Sequence, residues 1–248
     1  MKTVYKKPES ITNKPTTYCP GCPHGIAHRL VAELLEEMNL TRETVIVWPV
    51  GCSVFGYYFI GTDAVEAAHG RACAMATGVK RTHPESFVMT YQGDGDLASI
   101  GIAETVHAAA RGEKITVVYI NNGNYGMTGG QMAPTTLIGQ KTTTSPYGRD
   151  PKLTGFPMHV PEMLATLEAT AYIARAALDS PQHIIQAKKF LKKAFNTQVN
   201  GIGFSLVEMI SSCPTNWKMT PVEAMERIRQ EVLPVFPIGE FKVAEGVE

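Results

Sequence analysis

Residues 86–122 read SFVMTYQGDGDLASIGIAETVHAAARGEKITVVYINN, and the order of residue types along this stretch decides the fold. Ser86 to Gln92 is short and rich in β-branched and aromatic residues, the composition of a strand. Gly93-Asp94-Gly95-Asp96 breaks it, Ile100 to Arg111 reads as a helix that stops at Gly112, and Ile115 to Ile120 is a second strand. Two strands joined by one crossover helix run parallel, so the spacing predicts a right-handed βαβ unit.

The alternation continues on both sides. Upstream, Ile26, Leu30, Val31, Leu34, Leu35 and Met38 recur at helical spacing, with Arg29, Glu33, Glu36 and Glu37 on the other side. Thr44 to Val50 reads as a buried strand opening into a loop at Gly51-Cys52-Ser53, and the small residues from His69 to Arg81 read as a helix. Downstream, residues 123–157 are rich in Gly, Thr and Pro without a period, and so long a loop in a compact domain is usually functional or interfacial. Pro161 to Ala169 reads as a helix and Tyr172 to Leu178 as a strand. Ser180-Pro181 opens a helix that stops near Gly201, and Gly203 to Ile210 is another strand. The expectation is an α/β fold, an open and mainly parallel sheet with helices on both faces. One domain over residues 1–248 is expected, with an N-terminal CPGC segment and a C-terminal helical extension.

Composition narrows the function. Lysine plus arginine equals aspartate plus glutamate at 23 each, so nothing in the charge balance asks for nucleic acid or an acidic membrane. MKTVYKKPESITNKPTT has no apolar core, and no later run approaches the roughly 18 apolar residues of a membrane span. A soluble, cytoplasmic protein is expected. Five cysteines in such a chain point to metal binding or redox chemistry rather than to disulfides.

In open parallel sheets, ligands gather at the carboxyl ends of the strands. Four strands here end in Cys52, in Gly93-Asp94-Gly95, in Asn121-Asn122 and in Cys213, and the turn YCPGCPHG, residues 18–25, precedes a helix and can share that edge. At the Gly-Asp-Gly turn, the glycines allow close backbone approach and the helix behind offers unpaired N–H groups to a phosphate. Asp94 would repel a bare phosphate, but it suits a Mg²⁺ ion that neutralises one, and the Asn121-Asn122 amides are neutral hard ligands for the same ion. Two ordinary loops are the alternative.

Gly-Asp-Gly followed after about 25 residues by Asn-Asn resembles the pyrophosphate-binding motif of thiamine diphosphate enzymes. The resemblance implies that Asp94, the side chain of Asn122 and the backbone carbonyl of Asn124 hold Mg²⁺. It also places Gly93, Gly95, Asp96 and Thr128 at the cofactor. Cys19, Cys22, Cys52 and Cys213, in the contexts CPGC, GCS and SCP, resemble the β subunit of 2-oxoacid:ferredoxin oxidoreductases. HGR at 69–71, ATG at 76–78, GDGD at 93–96 and TGGQ at 128–131 extend the likeness over nearly the whole chain.

The resemblance implies one [4Fe-4S] cluster on those four cysteines beside thiamine diphosphate. It implies oxidative decarboxylation of a 2-oxoacid, with coenzyme A collecting the acyl group and electrons passing singly to ferredoxin. The carboxylate that activates the aminopyrimidine belongs in this family to another module, so an α-type partner subunit is expected, with γ and δ subunits possible, and no activity from this chain alone. The loop from 123 to 148 looks most like chains that act on 2-oxoglutarate, with 2-oxoisovalerate second and pyruvate a further alternative. Lys141 or Arg149 are candidate partners for a substrate carboxylate, and His69 and Arg71 for the diphosphate or the substrate.

Thiolate ligands alone do not separate iron–sulfur from zinc. Two rivals therefore stand: a thiamine enzyme with structural cysteines, and a zinc-stabilised scaffold without activity. Cys73 is read as a small buried hydrophobe. His24 either tunes the cluster or is structural, and Asp96 either caps the following helix or supports Asp94. His28, His83, His107, His159 and His183 are read as surface or helix residues. The Lys188, Lys189, Lys192 and Lys193 face is read as solvated, with docking of an acidic electron carrier as the alternative.

Overall fold

The computed structural model describes residues 6–247; residues 1–5, which open the stretch read as lacking an apolar core, lie outside the described residues, as does 248. In chain order the strands are β1 (Thr44–Trp48), β2 (Asp63–Glu66), β3 (Phe87–Gly93), β4 (Thr116–Asn121), β5 (Asn124–Tyr125), β6 (Gln131–Met132), β7 (Thr170–Ala177), β8 (Phe204–Ile210) and β9 (Gly239–Val243). The helices are α1 (His24–Glu37), α2 (Ala72–Thr82), α3 (Ile102–Ala110), α4 (Pro151–Thr154), α5 (Val160–Ala165), α6 (Pro181–Val199), α7 (Pro214–Trp217), α8 (Pro221–Arg227) and α9 (Leu233–Val235).

Seven strands form one sheet in the order β2-β1-β3-β4-β8-β7-β9. All neighbours run parallel except β9, which closes the β7 edge antiparallel. Side chains alternate faces along each strand, and both faces are covered. Ile46, Trp48, Met89, Tyr91, Val118 and Ile120 pack with Leu30, Leu34 and Phe195 of α1 and α6. Val47, Val88, Val117 and Tyr119 pack on the other side with Ala76, Ala109 and Leu164 of α2, α3 and α5. Each such fully buried large apolar side chain contributes about 1.5–3 kcal/mol relative to exposure. This two-sided burial explains why the strands read as continuous apolar runs.

Strand order grows outward in opposite directions from β1 and β3. Their junction is a switch point, where the loops after the two strands diverge and leave a crevice. The Cys52 loop follows β1 and the Gly-Asp-Gly turn follows β3.

Three expectations change. The helix after the turn begins not at Ile100 but at Gly95, as a π-helical stretch to Ile100 that passes at Gly101 into α3; the Asp94 side chain accepts from the Gly95 N–H and caps it. The C-terminal segment is not only helical, because β9 returns to the sheet after α8 and α9. The long loop is not featureless: β5 and β6 pair as a short antiparallel ribbon. Neither β2 nor β9 carries an apolar run, since both are edge strands with largely exposed or half-exposed residues. No helix among the described residues is long and apolar enough to cross a membrane.

Candidate functional site

The crevice at the β1/β3 junction is lined by Cys52, Ser53, His69, Gly93, Asp94, Gly95, Asp96, Asn122, Asn124 and Thr128, so the strand-end motifs and the HGR histidine share one cleft. Gly95 is there for close approach: a Cβ on it would lie 2.4 Å from the Tyr125 ring, which packs directly on the turn. Asp94 is buried, one carboxylate oxygen accepting from the Gly95 N–H at 2.9 Å and the other from the Thr135 hydroxyl at 2.7 Å. Burial pushes its carboxyl up to about 6, against the hydrogen bonds from Thr135, Gly95 and Gly123 that pull it down. A carboxylate in that position gains from a cation more than an exposed one does.

Asn122 and Asn124 are fixed by their own loop. Asn122 Oδ1 accepts from the Asn124 N–H at 3.2 Å, and the Asn122 carbonyl accepts from Asn124 Nδ2 at 3.1 Å and from Trp217 Nε1 at 3.2 Å. Ser53 Oγ is buried with no hydrogen-bond partner among the described residues, and a Cβ on Gly93 would sit 3.7 Å from it. A buried hydroxyl left unpaired on a cleft wall is a donor available to a ligand oxygen. One carboxylate, amide oxygens and a spare hydroxyl fit a Mg²⁺–diphosphate group.

The four cysteines of the CPGC, GCS and SCP segments come together beside this cleft. The CPGC turn is closed by Cys22 N–H to Cys19 C=O at 3.0 Å. Gly21 has φ +77°, and a Cβ there would strike Pro221 at 2.5 Å, so only glycine fits this turn. The Ser212 hydroxyl donates to the Gly21 carbonyl at 3.3 Å, which ties the turn to the Cys213 segment. Cys22 lies within electrostatic reach of Cys213, Cys52 and Cys19, and Cys52 within reach of Cys213, Cys19 and Asp94. A Cβ on Gly126 would lie 3.1 Å from Cys52 Sγ and 3.9 Å from Cys213 Sγ, so this glycine leaves room between the two sulfurs.

Burial holds the thiols protonated, Cys22 at about 12 and Cys52 at about 11, and raises Cys213 as well. Donors offset this: the backbone N–H of His24 at Cys22, and Asn216 at Cys213, where Nδ2 lies 3.3 Å from Sγ. Converging thiols, half-buried at Cys22, Cys52 and Cys213 and exposed at Cys19, with N–H donors at two of the sulfurs, are suited to metal-bound thiolates, whose charge the metal neutralises. No three His, Cys, Asp or Glu side chains among the described residues close on a point that would hold a single metal ion.

Several expected roles move. Arg71 lies outside the cleft, its guanidinium paired with the Glu104 carboxylate. Arg149 is not available to a substrate: it is buried, and its nitrogens are taken by the carbonyls of Pro134, Thr136, Thr154, Gly155 and Phe156, which makes it the clamp of the long loop. Lys141 lines a separate groove with Leu137, Phe156 and Trp217. The His24 ring bonds the Tyr91 hydroxyl at 2.8 Å, so this residue addresses the cysteine through its backbone. Asp96 neither caps the helix nor touches Asp94; it holds His69 Nδ1 at 2.6 Å.

His28 is on a helix but buried, against Trp48 and Tyr91. Cys73 is buried, as expected. On the lysine face, Lys188 pairs with Glu33 and Glu37 and Lys193 with Glu240, while Lys189 and Lys192 are exposed. Sequence reasoning missed Ser53, although it adjoins Cys52, and Asn216, whose Nδ2 bridges Gly126 C=O at 2.9 Å and Cys213. Thr135 gave no signal, lying in a loop without a period.

The family model described as the C-terminal TPP-binding domain of thiamine pyrophosphate enzymes matches residues 50–209. A ketoisovalerate oxidoreductase subunit VorA of Methanothermobacter thermautotrophicus is 44% identical over 97% of this chain and 53% of its own length. The chain thus spans about half the length of the VorA relatives it matches. A 2-oxoglutarate synthase subunit KorB of Archaeoglobus fulgidus is 36% identical over 93% of this chain and 82% of its own. The solved 2-oxoglutarate:ferredoxin oxidoreductase from Magnetococcus marinus, with 2-oxoglutarate, coenzyme A and succinyl-CoA bound, superposes with a TM-score of 0.81 at 26% identity, covering 99% of this chain and 87% of that one. Cleft, sheet and relatives agree, and the chain belongs to the thiamine pyrophosphate-binding subunits of the 2-oxoacid:ferredoxin oxidoreductase family.

Proposed function

We propose that this chain is the β subunit of a cytoplasmic enzyme that oxidatively decarboxylates a 2-oxoacid with coenzyme A to acyl-CoA and CO₂, and that its electrons leave through a [4Fe-4S] cluster for ferredoxin. The observation that carries the reading is the adjacency of the two donor sets: Cys52 lines the Asp94 cleft, and Asp94 lies within electrostatic reach of Cys52 and Cys213. Asp94, Asn122 and the Asn124 carbonyl hold Mg²⁺. Gly93 and Gly95 admit the diphosphate, with Ser53 and Thr128 on the wall, and Cys19, Cys22, Cys52 and Cys213 hold the cluster. When bound, thiamine diphosphate supplies the electron sink for decarboxylation and the cluster a one-electron acceptor beside it. The protein keeps the two apart by ligand hardness, oxygen donors at the end of β3 and sulfur donors around it. An α-type subunit supplies the pyrimidine-activating carboxylate, and γ and δ subunits complete the assembly.

Among 2-oxoacids, we favour one with an apolar side chain, such as 2-oxoisovalerate, over 2-oxoglutarate. The specific observation is that neither candidate carboxylate partner serves the cleft: Arg149 is consumed by carbonyls and Lys141 lines another groove. The higher identity to ketoisovalerate oxidoreductase subunits supports the same choice. The test is anaerobic purification with the co-expressed partner, followed by metal analysis and an assay of coenzyme A-dependent ferredoxin reduction with each 2-oxoacid. Iron with sulfide, and faster reduction on 2-oxoisovalerate, are expected. Zinc with no reduction on any 2-oxoacid would favour the scaffold reading.

A further inference from the structure

The loop that carries Asn122 and Asn124 lies against the cysteine set, and one side chain joins the two. Asn216 Nδ2 donates to the Gly126 carbonyl at 2.9 Å and lies 3.3 Å from both Asn124 Oδ1 and Cys213 Sγ. The Asn124 side chain and the Asn216 backbone N–H also meet this sulfur. Both amides have a fixed orientation, because Asn124 Nδ2 is taken up by the Asn122 carbonyl at 3.1 Å and Asn216 Nδ2 by that of Gly126. Gly130 backs the Asn216 side chain so closely that a Cβ on it would lie 3.0 Å from Asn216 Cβ.

An amide nitrogen carries two hydrogens, and Asn216 Nδ2 faces three acceptors. The Gly126 carbonyl is nearest and takes one. Asn124 Oδ1 and Cys213 Sγ, at equal distance, compete for the other. A hydrogen bond strengthens with the charge on its acceptor, so an electron added to an iron–sulfur cluster on Cys213 draws the shared hydrogen to Sγ. Asn124 is buried, so water does not readily replace the bond its Oδ1 then gives up.

We propose that Asn216 is a positioning residue that couples the two cofactors: it steadies the Asn122–Asn124 loop for Mg²⁺ and thiamine diphosphate while the cluster is oxidised, and turns to Cys213 Sγ when the cluster is reduced. Thiamine diphosphate then binds the reduced protein more weakly, and by linkage its presence makes the cluster harder to reduce by the same free energy. A cluster with a lowered potential passes its electron on more readily. With Mg²⁺, thiamine diphosphate is close to neutral overall, so its direct field on the cluster does not stand in for this contact. The coupling rests on the thiamine and cluster reading above.

The assembled enzyme, freed of thiamine diphosphate by chelation and returned to Mg²⁺, is titrated anaerobically with the cofactor in the oxidised and the dithionite-reduced state. The cluster potential is measured with and without the cofactor. The wild type is expected to bind thiamine diphosphate roughly fivefold more weakly when reduced, which at about 59 mV per tenfold lowers the potential by about 40 mV on loading. Asn216→Ala is expected to keep its iron and sulfide, to bind equally in both states, and to show no shift of potential on loading; Asn216→Ser is expected to behave alike. Equal or tighter binding by the reduced wild type overturns the coupling without recourse to a variant. A difference that persists undiminished in Asn216→Ala, or loss of iron from both variants, overturns the positioning role. A wild type that holds no iron–sulfur cluster or takes up no thiamine diphosphate overturns the reading above and the coupling with it, and does so before the two states are compared.

Discussion

Asp94 is the residue on which the proposed diphosphate site turns, because its carboxyl is buried and takes its hydrogen bonds from neutral donors. Asp94→Ala is expected to lower Mg²⁺-dependent thiamine diphosphate affinity at least about a hundredfold in the assembled enzyme, since a charge-assisted contact to the ion is lost. Titration calorimetry checks this, and retained affinity would count against the site. His28 makes a second prediction at this scale. It is buried with Nε2 unpaired among the described residues, and burial, with His24 nearby, holds its pKa well below the usual 6.5. The unfolded chain therefore binds a proton that the folded chain refuses. Stability from this group is complete above pH 6.5 and is lost as the pH falls below it, at up to about 1.4 kcal/mol per unit. Urea unfolding of His28→Phe between pH 7 and 5 should show a shallower loss than the wild type; an equal slope would contradict the assignment. Asp94 was legible in the sequence because its motif is local. The roles of Asp96 and Arg149 were not, since Asp96 finds its partner in a loop 27 residues upstream and Arg149 binds only carbonyls.

At the scale of elements, the segment after β8 does what the turn before α1 cannot do alone. Cys213 sits at the start of α7, and Ser212 and Asn216 tie it to the CPGC turn and to Gly126. Cys213→Ala is expected to abolish the cluster although CPGC is intact, with iron and sulfide analysis as the readout; unchanged iron would remove Cys213 from the ligand set. Behind the cleft, β4, β8 and β7 are joined by buried charge. Arg175 pairs with Glu208 and Glu162, and Glu208 accepts from Asn121 Nδ2 at 2.7 Å, which leads to the Asn-Asn loop. Burial raises the Glu208 pKa while Arg175 opposes it. Arg175→Met leaves that carboxylate uncompensated and should cost about 3–5 kcal/mol in urea unfolding. A loss below about 1 kcal/mol would mean that the network is dispensable. The β3–α3–β4 unit could be read in advance because its strands are buried on both faces and its helix has a stop signal. Edge strands β2 and β9 could not, because their pairing depends on neighbours distant in sequence.

Across the whole molecule, sheet order carries the function: the crevice lies where β1 and β3 diverge, and hard and soft donors meet along one edge. The class of fold followed from the alternation of elements, and its strand ends pointed to the residues that line the crevice. The substrate side chain did not, because Arg149 is used within the fold itself and Lys141 lines a groove apart from the cleft. The chain purified alone is expected to show no turnover with any 2-oxoacid, and turnover without a second subunit would refute the split site. The most direct test is visible absorption of the anaerobic assembled enzyme on addition of a 2-oxoacid. We expect iron–sulfur absorption that bleaches only when thiamine diphosphate and Mg²⁺ are present, with bleaching lost in Asp94→Ala and the absorption itself lost in Cys213→Ala. No iron–sulfur absorption, or bleaching that persists without thiamine diphosphate, would contradict a thiamine site wired to a cluster in this chain.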